Sequence, residues 1–431
     1  MEYIFMDNFR GFKETIVPIG RVNFLVGENS TGKSSFLSLF SILCDDEFLF
    51  SPSFVKLGSF DDIISASSPD KSFFSVGRAQ RRDNPQSEGG GDEEVTLWTF
   101  CNEDGLPSIR RYAHFHKGQL LSIIVDKDAV RWGTFEVNKD LGSEEKFISY
   151  VRLLYSKEIL DRDGHLTLLK EGQKFRGSIW PILSTIQTQL DAKFSNLINI
   201  EKYFRRRRDV VDVAPIRTKP RRTYDGYKVS FSSEGDHSPY ILKKMLENKE
   251  TTKKFNRMMQ DFGKLSGLFS KIQSHSFGKK GTSAPFEVKV KLKGKPALNI
   301  NNVGYGVSQV LPVIVEMLAR GRNAWFVIQQ PEVHLHPRAQ AALGGLIFSF
   351  MKEYEQRYLI ETHSDYLIDH FRYQMKKNAG VDNVQVLFFE RDSVGNKVYN
   401  ISIFKNGQYA LEQPKAFREF FIKEELRILE I

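Results

Sequence analysis

Short apolar runs broken by polar, glycine-bearing turns fill the first sixty residues, as expected of a strand, hairpin, strand, loop and helix in succession. Met1–Met6 already reads as a strand, Val22–Val26 is apolar and β-prone, and Ser35–Phe40 can open a helix. Residues 95–135 alternate apolar and polar positions and predict antiparallel strands. Stretches from about 144 to 205 and about 238 to 275 carry helical periodicity but do not sustain the heptads of an extended coiled coil. Phe286–Leu292 alternates as a strand with one solvated face. From about 298 to 376 the strand–loop–helix character returns, with Ala324–Ile328 reading as a buried parallel strand and Arg357–Ile360 as another strand. Gln80–Gly91 and Ser276–Ser283 are polar and glycine-bearing and predict loops, the first of them mobile. The expected division is 1–65 and 285–431 in one α/β lobe, with 66–284 inserted as a β-rich and helical lobe.

Between the strand at Val22–Val26 and the helix at Ser35–Phe40 lies Gly27-Glu28-Asn29-Ser30-Thr31-Gly32-Lys33-Ser34, which fits G-x-x-x-x-G-K-[ST]. The glycines let main-chain N–H groups of Asn29 to Gly32 curl around phosphate oxygens, and the helix N-terminus at Lys33, Ser34 and Ser35 adds its positive end. Lys33 reaches β- and γ-phosphates in such a loop, and Ser34 holds Mg²⁺. A plain glycine–serine turn would not require the lysine, the spacing and both flanks together.

Composition narrows the class only a little. The 431 residues are 41% hydrophobic, which supports roughly two or three domains' worth of core. No run is long enough to span a bilayer, and the start lacks a signal-peptide layout. The two cysteines, Cys44 and Cys101, have no metal-ligand spacing, and a cytoplasmic location is the simplest expectation. The net charge of +9 permits an acidic partner such as nucleic acid without requiring one.

Three later segments add to the loop. Asn302-Val303-Gly304-Tyr305-Gly306-Val307-Ser308-Gln309 opens a helix and offers glycines, a hydroxyl and a helix N-terminus suited to a γ-phosphate. The strand at Ala324–Ile328 runs into Gln329-Gln330-Pro331-Glu332-Val333-His334-Leu335-His336-Pro337. The strand at Arg357–Ile360 runs into Glu361-Thr362-His363-Ser364. Functional residues of open α/β sheets lie beyond the C-terminal ends of strands. His334, His336 and Glu332 are metal-capable types, but their spacing on a loop entering a helix is a weak zinc signal.

In this order the motifs resemble the ATP-binding-cassette and SMC-like ATPase superfamily. Gly27–Ser34 matches Walker A, and Gly304–Gln309 is similar to the signature motif, with Ser308 at the serine position. Phe326–Glu332 resembles Walker B, His334–Pro337 the start of the D-loop, and His363 the switch histidine. Asn8-Phe9-Arg10-Gly11-Phe12 is similar to the opening strand of the recombination and break-repair members. Within the superfamily the likeness is to stand-alone bacterial ATPases with P-E-x-H-L-H-P in Walker B. These include the Septu and retron-associated ATPases, the PARIS ATPase and the ATPase half of the overcoming-lysogenization-defect nucleases. Pro215–Tyr224 and Leu57–Asp62 resemble segments of that group.

The resemblance implies an α/β ATPase head with a mixed sheet around the P-loop and an inserted lobe. It further implies ATP and Mg²⁺ as ligands and a head-to-tail homodimer or higher homo-oligomer, in which Ser308 and Gly306 of one subunit complete the ATP site of the other. It departs from the pattern at one place. Gln329 and Gln330 stand where acids usually hold Mg²⁺ and polarise water, and an amide cannot accept a proton as a base. Glu332 and Glu361 are then the candidate carboxylates for activating water, with His363 as γ-phosphate sensor and Gln329 as a Mg²⁺ ligand through its carbonyl oxygen.

Arg205, Arg206, Arg207 and Arg208 form the strongest basic run, and Arg217, Lys219, Arg221 and Arg222 follow closely. Such a cluster is either a solvated helix end or a contact for nucleic-acid phosphates or an acidic partner. Two expectations follow. One is the ATPase and sensor subunit of an anti-phage complex that holds or activates a nuclease effector. The other is a DNA-repair or recombination ATPase that clamps DNA in response to ATP.

Overall fold

The computed structural model describes residues 1–45, 54, 57–82, 92–126, 129–137, 141, 143–155, 166–169, 179–190, 194, 197, 209–225, 230–278 and 284–421. The N-terminal elements are β1 (Glu2–Asp7), β2 (Thr15–Ile19), β3 (Val22–Gly27), α1 (Lys33–Cys44) and α2 (Phe60–Ile63). A run of strands follows: β4 (Phe73–Arg82), β5 (Asp92–Glu103), β6 (Leu106–His116), β7 (Gln119–Val125) and β8 (Val130–Glu136). Then come α3 (Glu144–Tyr155), β9 (Thr167–Leu168), α4 (Trp180–Gln187), β10 (Val210–Val213), α5 (Ser238–Glu247) and α6 (Lys249–Ser266). Next are β11 (Lys271–Ser276), β12 (Phe286–Lys291), β13 (Ala297–Asn299), a 3-10 turn at Ile300–Asn302 and α7 (Tyr305–Ala319). The last elements are β14 (Trp325–Gln329), α8 (Pro337–Tyr354), β15 (Arg357–Glu361), α9 (Asp365–Lys377), β16 (Val384–Arg391), β17 (Asn396–Ile403) and α10 (Lys415–Phe420).

The chain is α/β, with three sheets among the described residues. One has eight strands in the order β2-β1-β4-β5-β6-β7-β8-β9, one six in the order β10-β14-β15-β3-β16-β17, and one three in the order β11-β12-β13. The chain divides into two compact units, one made of 1–20, 28–208 and 389–400, the other of 21–27, 209–388 and 401–431. These boundaries differ from those expected along the sequence, where 66–284 reads as a single insertion. β1 hydrogen-bonds along β4, from Glu2 opposite Gln80 to Asp7 opposite Ser75, so the N-terminal strand belongs with the antiparallel sheet. Residues 209–284 fall with the later parallel strands because β10 pairs in parallel with β14, Val210 opposite Trp325.

In the first unit the alternation of residues 95–135 becomes the meander β5 to β8, whose buried positions face α3. Val95, Phe115 and Leu120 pack there with Tyr3, Phe147, Tyr150 and Leu154. In the second unit β14 and β15 are apolar on both faces, as central parallel strands require. Helices α8 and α9 pack at Gly344, where any side chain would meet the Leu367 carbonyl at 2.1 Å. Two local expectations change: residues 80–82 extend β4, and residues 271–276, read as the end of a helical stretch, pair with β12. Residues 83–91 and 279–283 of the predicted loops lie outside the described residues.

Candidate nucleotide site

The P-loop leaves the end of β3 and turns directly into α1. Ser30 and Gly32 hold positive φ, 63° and 95°, and Gly32 caps the helix. A side chain at Gly32 would lie 2.6 Å from Phe12 Cζ and 2.7 Å from Asn396 Nδ2, so both conformation and space demand glycine. Helical bonding starts with the Phe36 N–H on the Gly32 carbonyl at 2.9 Å. The N–H groups of Lys33, Ser34 and Ser35 therefore stand outside the helix's own ladder, as phosphate binding requires. Lys33 is buried, and its Nζ donates to the Glu28 carbonyl at 2.6 Å; the Thr31 hydroxyl donates to the same carbonyl at 2.8 Å. The lysine thus spans the loop it closes. Asn29, Ser30 and Ser34 are exposed.

The Ser35 hydroxyl accepts from Arg10 Nη1 at 3.0 Å. Arg10 also donates from Nη2 to the Leu57 carbonyl at 2.9 Å, and its own φ is 50°. The sequence reading missed Arg10 as a neighbour of the P-loop helix; the F-R-G-F run was its only signal.

Strands β14, β15 and β3 are parallel neighbours in register, with Gln329 opposite Glu361 and Glu361 opposite Leu25. Gln329, Glu361 and the last residue of β3, Gly27, therefore reach one edge of the same sheet, where open α/β folds keep their chemistry. Gln330, at φ 43°, donates its N–H to the Glu361 carbonyl at 2.8 Å. The turn then closes with Val333 N–H on the Gln330 carbonyl and Leu335 N–H on the Glu332 carbonyl. Glu332 points inward: its Oε1 accepts the His363 N–H at 2.7 Å, and its side chain is buried. Burial raises the Glu332 pKa above the usual carboxylate value, partly offset by hydrogen bonds from the His363 backbone and Thr362 and by the Arg217 charge. Glu361 is buried and His363 is exposed. The Ser364 hydroxyl caps α9 by accepting from Leu367 N–H at 3.1 Å and donates to Gln340 Oε1 at 2.6 Å, which ties the histidine loop to α8.

The signature helix α7 starts at Tyr305 with Gly304 as its cap. Ser308 therefore sits a full turn in, buried, with its hydroxyl donating to the Tyr305 carbonyl at 2.8 Å. The segment opens a helix as expected, with Gly304 as its cap and Ser308 three residues after its first residue, Tyr305. Gly306 is needed by close approach, since a side chain there would meet the His334 carbonyl at 2.8 Å, and the Tyr305 and His334 rings pack 5.4 Å apart.

Arg217 requires a correction. It is 3% exposed and so cannot serve as a surface contact for nucleic acid. Its Nη2 donates to the main-chain carbonyls of Gln329 at 3.0 Å and Gln330 at 3.3 Å, beneath the Walker B turn. Burial lowers its pKa to about 10 even with Glu332 nearby, which leaves it a cation at neutral pH. Arg221 and Arg222 are exposed, with Arg221 Nη2 3.9 Å from Asp236. Arg205 to Arg208 lie outside the described residues.

A left-handed glycine at the mouth of a helix, the lysine spanning its loop and polar residues at the ends of adjacent parallel strands define the P-loop class. Residues 22–369 match the family described as "AAA domain, putative AbiEii toxin, Type IV TA system", and the chain belongs to that family. No curated protein gives a significant match. Among solved structures, an SMC head bound to the C-terminal winged-helix domain of ScpA aligns over 94% of this chain and 98% of its own, with 14% identity and a TM-score of 0.47. The Pyrococcus furiosus SMC head with an extended coiled coil, bound to the C-terminal domain of ScpA, aligns over 100% and 99%, with 12% identity and a TM-score of 0.43. The Thermotoga maritima SMC head aligns over 93% and 98%, with 12% identity and a TM-score of 0.38. Among the described residues no helix is long and apolar enough to cross a membrane.

Proposed function

We propose that the chain binds and slowly hydrolyses ATP, and that it works as an ATP-gated sensor and scaffold of an anti-phage complex. The observation that carries nucleotide binding is the P-loop itself, with Gly32 in a left-handed cap and Lys33 folded across the loop as the first residue of α1. The defence role draws support from the family match to a toxin–antitoxin ATPase domain and from the P-E-x-H-L-H-P run at Pro331–Pro337. In that role the chain forms a head-to-tail dimer or larger homo-oligomer and holds a nuclease effector.

Slow turnover follows from the strand end. Gln329 and Gln330 cannot take a proton, and Glu332 is buried and already committed to the His363 N–H. Glu361, opposite Gln329, is the other candidate carboxylate. Ser34 and Gln329 would each offer Mg²⁺ a neutral oxygen donor. When bound, Mg²⁺ neutralises phosphate charge; Lys33 binds the β- and γ-phosphates, and His363 senses the γ-phosphate.

Equilibrium binding of labelled ATP to wild type and Lys33→Ala tests the assignment. Binding is lost in the variant; equal affinity would remove the nucleotide site. One observation favours DNA clamping as a second reading: Lys219, Arg221 and Arg222 are grouped along one short segment, with both arginines exposed. Hydrolysis stimulated by duplex DNA and abolished by Arg221→Ala/Arg222→Ala would select it over the scaffold.

A further inference from the structure

Arg217 belongs by sequence to a basic stretch, yet it is turned away from solvent. Its Nη2 holds two successive carbonyls of the Walker B turn, those of Gln329 and Gln330. Among the described residues its Nε and Nη1 have no hydrogen-bond partner, and neither does Oε2 of the buried Glu332. A buried cation and a buried carboxylate with unspent hydrogen-bonding capacity are each costly alone, and each lowers the cost of the other. The other oxygen of Glu332, Oε1, accepts the main-chain N–H of His363 at 2.7 Å. The chain of contacts therefore runs from the guanidinium to the turn, and from the turn's glutamate to the backbone of the histidine loop. The same residue also meets the signature helix, where Gln309 Nε2 donates to the Arg217 carbonyl at 3.4 Å.

We propose that Arg217 is a positioning residue for hydrolysis, fixing Glu332 and, through Glu332, the loop that carries His363. The proposal rests on the reading that this chain hydrolyses ATP. It assigns the arginine a task that follows from the missing acids. With amides at 329 and 330, no carboxylate at those positions is free to order the strand end, and a buried cation gripping the two carbonyls does so. Arg217 touches neither water nor phosphate in this role. Its loss therefore lowers turnover without weakening ATP binding.

Steady-state phosphate release and equilibrium ATP binding are measured on the full chain with Mg²⁺, for wild type, Arg217→Met, Arg217→Lys, Glu332→Gln and the Arg217→Met/Glu332→Gln pair. Arg217→Met lowers kcat about 10²-fold, the cost of a reacting group displaced by roughly an ångström. The Kd for ATP moves less than about threefold, since ground-state binding is untouched. Arg217→Lys keeps the charge and recovers much of the loss; it also serves if the methionine variant does not fold. The double variant is no slower than the slower single variant, because both act on one element. Losses that multiply, a Kd that rises as far as kcat falls, or a lysine variant no better than methionine would each overturn the role of Arg217 while leaving the ATPase reading intact. A wild type that releases no phosphate defeats the ATPase reading, and this role with it.

Discussion

Gly32→Ala isolates the physical demand of the P-loop from its chemistry, because alanine adds one methyl group and no charge. Two costs are legible in the geometry. Residue 32 sits at φ 95°, where an L side chain clashes with its own backbone, worth about 1–2 kcal/mol. The new Cβ would also stand 2.6 Å from Phe12 Cζ and 2.7 Å from Asn396 Nδ2. Neither neighbour yields freely. Phe12 is fully buried with its ring 6.2 Å from Phe389, and Asn396 is itself buried. Overpacking of this kind costs about 1–3 kcal/mol, for a total of roughly 2–5 kcal/mol. Amide hydrogen exchange across α1 reads this locally. At ~1.4 kcal/mol per tenfold, exchange of the helix amides should accelerate by about 30-fold or more. Gly105→Ala is the control, since Gly105 has φ 81° but nothing within 4 Å of an added Cβ. Its hairpin should show the conformational cost alone, about 5- to 30-fold faster exchange. If α1 exchanges within about threefold of wild type in Gly32→Ala, the crowding argument fails.

Other predictions follow from the strand ends and the signature helix. Restoring acids as Gln329→Asp/Gln330→Glu should speed phosphate release by up to roughly 10²-fold if the missing base limits turnover; an unchanged rate would show that Glu361 or Glu332 already suffices. Ser308→Arg should break the Tyr305 contact and overfill a buried site, lowering the melting temperature even without ATP, because the hydroxyl is internal to α7; an unaltered melting curve would contradict that placement. Glu332 makes a pH prediction with a definite sign. Its folded pKa lies above the ordinary 4.5, so the native state holds its proton more tightly than the unfolded chain. The stability it contributes is complete below about 4.5 and is lost as pH rises through the raised value. The melting temperature of Glu332→Gln relative to wild type should therefore increase with pH above 4.5, and a flat or falling difference would refute the direction.

Elements whose chemistry is local were legible from the residues alone. The P-loop was one, because its glycines, lysine and flanks act within a few consecutive residues, and the short runs at Ala324–Ile328 and Arg357–Ile360 read as strands. The alternation of residues 95–135 likewise pointed to antiparallel strands. Whatever depended on which segment meets which came only from the fold. Met1–Met6 reads as a strand, but only pairing with β4 placed it in the antiparallel sheet instead of beside the P-loop strand. Helical pattern put Ser308 near a helix start, but only the observed cap at Gly304 showed that its hydroxyl is turned into the helix. Charge clustering put Arg217 among surface cations; only the fold showed it buried against the carbonyls of Gln329 and Gln330. The reason is common to all three. Propensity and patterning are properties of neighbours in sequence, whereas pairing partners, burial and the fate of a charge are settled by contacts that the folded chain alone brings together.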